Sequence, residues 1–523
     1  MATTQTRKLP RRRGNMRPLF DGPEWTFELI QKVHDVMGDI ALGELGLDIY
    51  PNQIEVITAE QMLDSYSSIG MPLMYRHWSF GKRFAQDEAY YKKGMRSLAY
   101  ELVINADPCI SYIMEENSMT MQALVIAHAA YGHNHFFKNN YQFQLWTQPD
   151  HIIDYLSFAK NYVAECEERF GQDAVESTLD AAHALMNQGV SRDLRPRPRN
   201  AAKHEQQKAA RRRAHEEATY DDIYRTLPEI TKEGTADPAA GSEGEQRRLG
   251  LPEENLLYFL EKNAPKLEDW QRELLRIVRL LSQYFYPQRQ TKMMNEGCAT
   301  FVHYEILNRL YERGQLTDGT MLEFLHSHSS VVFQPTFNDR RFSGLNPYAL
   351  GFAMMNDIRR ICTEPTQEDR DWFPDLAGSD DWMGALRQAW AEFRDESFVL
   401  QYLSPKLIRD FRLFAVNDDS KEGHMEVKAI HDEQGYKDVR RRLSRHYDVS
   451  AQDPDLQVTD ADLSGSRRLV LTHRVRNGVL LEKTEAERTL QYLAQLWGYR
   501  VKLVEQDIDG SRVLKEHEAL PMP

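Results

Sequence analysis

The chain has 523 residues, more than one hydrophobic core usually holds, so two or three domains are expected. Apolar residues make up 41% and the formal net charge is −14, which excludes a globally disordered chain and a broadly nucleic-acid-binding surface. No run of apolar residues reaches the roughly 18 that a membrane helix needs, and the four cysteines show no CxxC spacing. These features predict a cytoplasmic protein without disulfides, a membrane span or a specific nucleic-acid partner.

Helical patterns dominate the first part of the chain. Residues 1–19 are basic and lack a following apolar stretch, which predicts a disordered arm rather than a secretion signal. Apolar residues then recur at helical spacing through 20–192, where 101–114 and 119–137 read as two apolar helices. Residues 193–250 contain few large apolar residues and the string RPRPR, so we expect a charged linker or insertion.

The second part of the chain changes from helical to mixed patterns. Helical spacing returns in 251–415, with an expected interruption near Pro287, and residues 326–344 look irregular. In 416–523, alternation at 468–473 predicts a strand, RNG at 476–478 a hairpin-type turn, 486–496 a helix and 500–504 a strand. The predicted fold class is therefore mainly α, a large multi-helix body with a smaller C-terminal α+β domain.

Two histidines interrupt an apolar helix in the first part. The string MQALVIAHAAYGHNHFF covers 121–137, and a histidine buried there must find a carboxylate, carbonyl or metal partner. His128 and His133 would lie about 140° apart on an α-helix, so they point one way only if the helix ends or bulges between them, which Gly132 allows. His128 and His135 would share a face on a regular helix. HExxH zinc-peptidase chemistry is not supported, because the spacing is five and Ala129 follows the first histidine.

A second helix carries a carboxylate and a histidine on one face. In MMNEGCATFVH, Glu296 and His303 are seven residues apart, and the small Gly297 and Ala299 let another element approach closely. The NEGxA string resembles the helix that supplies the glutamate ligand in gluzincin peptidases. Opposite the histidine pair, this helix would suit Zn²⁺, Fe²⁺ or Mn²⁺.

Other donors and other chemistries carry less weight. Glu101, which we expect to open the helix ELVIN, is a candidate base or further ligand, while His77, His326 and His328 are weaker candidates. The chain lacks GxxxxGK[ST], GxGxxG after a strand and GxSxG, so nucleotide-driven and serine-hydrolase mechanisms are poorly supported. The metal or catalytic hypothesis for His128, His133, Glu296 and His303 competes with a buried polar network that fixes helix register.

Several long strings are similar to one protein family. YPNQIEVITAEQMLDSYSSIGMP, MYRHWSFGKRF, YELVINADPCISYIMEENSMTMQALVIAHAAYGHNHFFKNN, MMNEGCATFVH, HSHSSVVFQP and NPYALGFAMMNDIRRI resemble the stage V sporulation protein R (SpoVR) family. The resemblance runs from Phe20 to Leu503, interrupted by an insertion at 193–250 similar to that of the Gram-negative versions. The strings contain the candidate donors His77, Glu101, His128, His133, Glu296, His303 and His328.

The resemblance indicates the cellular processes in which the protein takes part rather than any reaction that it catalyses. It associates the chain with spore cortex formation, the cell wall or stress, in company with a PrkA-type serine protein kinase and a von Willebrand-domain-like partner. It implies no settled activity and no catalytic residues. Our leading hypothesis is a metal-dependent or His/Glu hydrolase, with His128, His133, Glu296 and His303 as ligands and Glu101 as catalytic base. The alternative is a non-enzymatic stress or sporulation factor that binds the kinase and its partner.

Overall fold

The computed structural model describes residues 16–68, 71, 74–92, 101–192, 249–417, 426–429, 432–463, 465–476 and 478–521. Most of the predicted basic arm and of the predicted linker, residues 1–15 and 193–248, lies outside these ranges. Within them, helices predominate and a smaller α+β region closes the chain, so the predicted fold class is confirmed. Among these residues we find no helix with the length and hydrophobicity of a membrane span.

In chain order, the helices of the described residues are α1 (Phe27–Gly38), α2 (Ala59–Ser67), α3 (Trp78–Lys92), α4 (Met119–Ile126), α5 (Asn134–Asn139), α6 (Tyr141–Trp146), α7 (Ile152–Phe170), α8 (Gln172–Ala184), α9 (Leu256–Asn263), α10 (Asp269–Gln290), α11 (Lys292–Glu312), α12 (Asp318–Val331), α13 (Pro347–Thr363), α14 (Gln367–Trp372), α15 (Trp382–Glu392), α16 (Asp395–Tyr402), α17 (Pro405–Asp410), α18 (Glu433–Tyr447), α19 (Val449–Gln452) and α20 (Lys483–Trp497). Two π-helical segments follow α1 and α4, at Asp39–Glu44 and Ala127–His133, and a 3₁₀ turn covers Met186–Gln188.

The strands of the described residues form three sheets. They are β1 (Asn52–Ile57), β2 (Glu101–Ile104), β3 (Cys109–Met114), β4 (Ala415–Asn417), β5 (Glu426–Ala429), β6 (Leu456–Ala461), β7 (Leu469–Val475), β8 (Val501–Asp507) and β9 (Val513–Ala519). The sheet orders are β1-β3-β2, β4-β5 and β6-β7-β8-β9.

The chain divides into two compact units, and each is discontinuous in sequence. The first joins residues 1–172 with residues 283–452, and the second joins residues 173–282 with residues 453–523. Helix α11 lies in the core of the first unit and is buried along most of its length, from Met293 to Tyr311. Its buried residues include the polar Asn295, His303 and Glu305, and α13 and the Ala127–His133 segment pack directly against it.

The prediction of a helix over 101–114 is wrong. The segment forms β2 and β3, which pair antiparallel, while β3 also pairs parallel with β1. Branched and aromatic residues such as Val103, Ile110 and Tyr112 favour extended backbone, and Pro108 cannot continue a helix. The change matters for the site, because Glu101 now begins a strand rather than a helix.

Other local predictions have mixed outcomes. The strand at 468–473, the helix at 486–496 and the strand at 500–504 are confirmed as β7, α20 and β8. The predicted turn at 476–478, whose Asn477 lies outside the described residues, closes with a hydrogen bond from the Val479 N–H to the Arg476 carbonyl at 3.3 Å. It does not form a hairpin, because β7 and β8 are parallel and α20 connects them. A parallel pair needs such a crossover. Helix α10 also continues past Pro287 to Gln290, and α12 extends to Val331, into the segment that looked irregular.

Candidate metal centre

The π-helical segment Ala127–His133 brings its two histidines together. In π-helical geometry the backbone hydrogen bond joins residues five apart, so residues at that spacing stack on one face. The rings of His128 and His133 accordingly lie 4.6 Å apart between centroids, and both side chains are buried. The bulge that the spacing of five required is present. The expectation that His128 shares a face with His135 is wrong, because His135 points away and its Nδ1 contacts the backbone of Asp48.

Small residues let the two predicted helices touch. A Cβ atom on Gly132 would lie 2.5 Å from the Cα of Ala299, and one on Gly297 would lie 2.7 Å from the backbone of Gly351. Contacts this short require glycine, so the backbones of the π-helical segment, α11 and α13 cross almost directly on one another. The close approach predicted for Gly297 and Ala299 is confirmed.

Four predicted site residues face one another in this crossing. The Nε2 of His128 lies 3.7 Å from the Oε1 of Glu101 and 3.7 Å from the Oε2 of Glu296. The Nε2 of His133 also lies 3.7 Å from that Glu296 oxygen. Glu101, His128 and His133 each offer a ligand atom within 4.8 Å of the others. These separations exceed a hydrogen bond, and within the described structure the buried His128 Nε2 and Glu296 Oε2 make none.

Asn295 determines which nitrogen of His133 carries the proton. The Nδ1–H of His133 donates to the Oδ1 of Asn295 at 2.8 Å, because a carbonyl oxygen can only accept. The lone pair of the neutral ring is therefore on Nε2, the nitrogen that faces Glu296. A hydrogen bond of this kind orients the ring for metal binding.

His303 lies behind His128 rather than among the facing donor atoms. Its Nδ1 is 3.0 Å from the Nδ1 of His128, and its Nε2 is 2.9 Å from the Nδ1 of His328. A neutral His303 has one acceptor nitrogen and one N–H donor, so it accepts one hydrogen bond in this row and donates the other. If His128 donates, its Nε2 keeps a free lone pair towards the two carboxylates.

The electrostatics separate the two carboxyl groups. Burial raises the pKa of Glu101 more than the neighbouring His128 lowers it. Burial also opposes ionisation of Glu296, but contacts with His128 and His133 lower its pKa below the usual range. The pKa values of the two carboxyl groups are thus shifted in opposite directions, a pattern typical of sites with divided acid and base roles.

The histidines are also separated in their pKa values. Burial lowers the pKa of His128, but the carboxylates of Glu296 and Glu101 outweigh it and raise the pKa above its ordinary value. Burial lowers the pKa of His133 to about 4 and that of His303 well below its usual range. His133 and His303 are therefore neutral near pH 7, the form in which a histidine can bind a metal.

The structure places two further residues, Asn295 and Tyr348, at the site, which sequence reasoning missed. Asn295 precedes Glu296 directly, and Tyr348 stacks on His128 with its ring centroid 6.4 Å away. Tyr348 also contributes to the lowered pKa of Glu296. Both stand in strings that the sequence analysis lists. Asn295 could have been found because it is adjacent to Glu296, and Tyr348 because it lies in the NPYALGF string.

Two weaker candidates lie apart from the facing donor atoms. His326 is exposed on α12, and the Nδ1 of His77 lies 2.7 Å from the Oγ of Ser79.

Comparison with known proteins agrees with the family resemblance. A family model described as SpoVR like protein matches residues 24–452, and one described as SpoVR-like C-terminal domain matches residues 454–508. A relative named uncharacterized protein YcgB, from Escherichia coli strain K12, is 53% identical over 508 residues, which cover 95% of this chain and 96% of the relative. No solved structure matches the chain. The chain belongs to the SpoVR family.

Proposed function

We propose that this member of the SpoVR family holds a divalent transition metal, Zn²⁺, Fe²⁺ or Mn²⁺, in the buried centre and acts as a metal-dependent hydrolase. His128, His133 and Glu296 would be the protein ligands. The observation that carries the proposal is the buried pair of His128 Nε2 and Glu296 Oε2, which face each other at 3.7 Å without hydrogen-bond partners in the described structure. Buried polar atoms without partners cost free energy, and a bound cation would satisfy both.

The spacing of the donor atoms supports this proposal. Two ligand atoms about 2.1 Å from a zinc ion at a tetrahedral angle lie about 3.4 Å apart. The nitrogen-to-carboxylate distances of 3.7 Å come close to this value. Two histidines and one glutamate also form a known catalytic zinc set, which leaves a further position for water or substrate.

The residues around the donors have supporting roles in this proposal. Asn295 would hold the His133 ring with its Nε2 lone pair towards the metal. We assign His303, which the sequence suggested as a ligand, to orienting His128, because both of its ring nitrogens face other histidines. Each proposed ligand histidine thus has a hydrogen-bonding partner on its other ring nitrogen, Asn295 for His133 and His303 for His128.

Glu101 is our candidate for the general base and acid. When bound, the metal would supply a Lewis acid that polarises a substrate carbonyl and lowers the pKa of water. The raised pKa of Glu101 suits a group that takes a proton from water and returns it to a leaving group. Both carboxylate side chains are 18% exposed, whereas His128 is 4% exposed, so the carboxylate side is the more open side of the centre.

The competing hypothesis is a non-enzymatic factor that acts by binding a PrkA-type kinase and a von Willebrand-domain-like partner. The same residues would then form a buried network that fixes helix register. This hypothesis requires hydrogen bonds that satisfy the polar atoms, and the 3.7 Å separations argue against it. Cell-wall peptides offer amide bonds, so they are the first substrates to test for hydrolysis.

Metal content of untagged protein purified without nickel tests the proposal. We expect about one equivalent of a transition metal per chain, lost in His128→Ala and in Glu296→Gln. His326→Ala is the matched control, because His326 is an exposed histidine on a helix of the same unit and should leave the metal in place. Less than about one tenth of an equivalent, unchanged by His128→Ala, would overturn the metal site. Bound metal without hydrolysis of peptide or ester substrates would overturn the hydrolase alone.

A further inference from the structure

The second unit contains an apolar cavity between its sheet and helix α20. The cavity has a volume of about 230 Å³, and its walls include Leu471 of β7, Leu503 of β8 and Leu490 of α20. An apolar cavity of about 150 Å³ already accepts a molecule of the size of benzene. This cavity is therefore large enough for a leucine or phenylalanine side chain.

The apolar surface continues from the cavity to solvent. Leu481 lines the cavity, and the two residues before it, Val479 and Leu480, are 69% and 43% exposed. Adjacent exposed apolar residues at a cavity favour an interaction surface over a site for a small molecule alone. A molecule confined to the cavity would leave Val479 and Leu480 uncovered, whereas a larger partner could cover them as well.

The polar residues that line the cavity give it a negative charge. Glu482 and Glu485 are exposed, Asp453 is partly exposed, and no lysine, arginine or histidine of the described residues lines the cavity. Arg192 contacts the backbone of Asp453 and Pro454 from outside the lining, and Glu254 at 3.3 Å offsets its charge. Glu485 also lies 3.4 Å from Arg488, but both side chains are 70% exposed, and such surface pairs are weak. The carboxylates therefore favour a basic partner.

A buried polar network anchors Leu481, the last residue of the apolar segment 479–481, which has no helix or strand. One oxygen of Glu505 accepts the backbone N–H of Leu481 at 2.9 Å and lies 3.1 Å from the Nδ1 of His473. The other oxygen lies 2.9 Å from the Nε2 of His517. These contacts fix the backbone of Leu481 beside the cavity before any partner arrives, which reduces the entropic cost of binding there.

We propose that this cavity is a docking site for a basic polypeptide segment of a partner protein. The segment inserts one large apolar side chain between Leu471, Leu490 and Leu503, and it places lysine or arginine residues beside Glu482 and Glu485. Buried apolar anchors of this kind supply most of the energy of an interface, while charges at the rim select the partner. The proposal does not depend on the metal centre, which lies in the first unit.

Short labelled peptides titrated against the full chain test the docking site. The probe peptide is acetyl-Arg-Arg-Leu-Arg-Arg-amide, followed by fluorescence anisotropy. We expect the peptide to bind, and we expect at least about tenfold weaker binding when alanine replaces its leucine. A version with glutamate in place of each arginine should not bind. Equal binding of the arginine and glutamate peptides would overturn the basic partner, and no binding of any peptide would overturn the site.

Variants of helix α20 locate the peptide on the protein. Glu485→Lys should weaken binding at least fivefold, whereas Glu487→Lys, an exposed glutamate of the same helix outside the cavity lining, should not. Ala486→Leu should fill the cavity and abolish binding without lowering the urea midpoint, and Thr489→Leu offers a second filling variant near the surface. Binding that survives both filling variants in folded protein would overturn the proposal.

Discussion

Replacing Gly132 with alanine should separate the two helices that carry the centre. The new Cβ would lie 2.5 Å from the Cα of Ala299 and 2.9 Å from its Cβ. The backbone of α11 cannot rotate away as a flexible side chain can, so the π-helical segment must move. Ordinary contact begins near 3.4 Å, which implies a shift of about 0.9 Å.

The expected magnitude follows from two opposing effects. Overpacking a filled core costs about 1–3 kcal/mol, while alanine returns up to about 1 kcal/mol of helix propensity. We therefore expect the free energy of unfolding to fall by about 1–2 kcal/mol. His133 is the next residue, and metal sites tolerate errors of only about 0.2 Å, so metal affinity should fall by about 10- to 100-fold.

Urea unfolding and competition with a chelator measure the two effects separately. Gly43→Ala is the matched control, because a Cβ on this helical glycine meets no atom within 4 Å and should leave both quantities unchanged or slightly improved. Metal affinity that is equal in the Gly132→Ala variant and the control would refute the idea that this close contact sets the donor geometry.

Three further predictions concern single interactions. Asn295→Ala should lower metal affinity by about 10- to 100-fold, and Asn295→Asp, which keeps an acceptor for His133, should restore most of it in the same chelator assay. Metal affinity should fall as the pH drops, and the fall should begin above about pH 6.5. The reason is that carboxylates raise the pKa of His128, and a proton on its Nε2 excludes the metal. Metal affinity that does not change between about pH 5.5 and 8 would contradict this prediction. Burial raises the pKa of Asp369, but hydrogen bonds from Arg360 at 2.6 and 2.7 Å outweigh it and lower the pKa to about 2. This carboxylate stabilises the fold at pH values above its unfolded pKa near 4, and the stabilisation is lost as the pH falls through about 2. Asp369→Asn should therefore lower the free energy of unfolding by about 2 kcal/mol at pH 7 and by little near pH 2.

Sequence reasoning predicted the helices better than the strands and the assembly. Helix α20 follows from apolar residues such as Leu490, Leu493 and Trp497 at helical spacing, a local signal. Strands β2 and β3 are short apolar runs, which periodicity cannot distinguish from buried helix. The pairing of β3 with β1 depends on contacts between residues far apart in the chain, such as Asn52 with Cys109. For the same reason, no local pattern indicates that residues 173–282 belong to the same unit as residues 453–523.

The geometry of the centre depends on a bulge in the helix. The sequence shows that His128 and His133 need such a bulge to point the same way, but it does not show that the bulge forms. On an α-helix, the spacing of five would separate His128 from His133, and His135 would face His128 instead. The Ala127–His133 segment takes the π-helical form, so His133 turns inward and His135 turns to Asp48. Because π-helical turns are rare and concentrate at functional sites, a bulge placed between two histidines and two carboxylates favours a function over a register-fixing network.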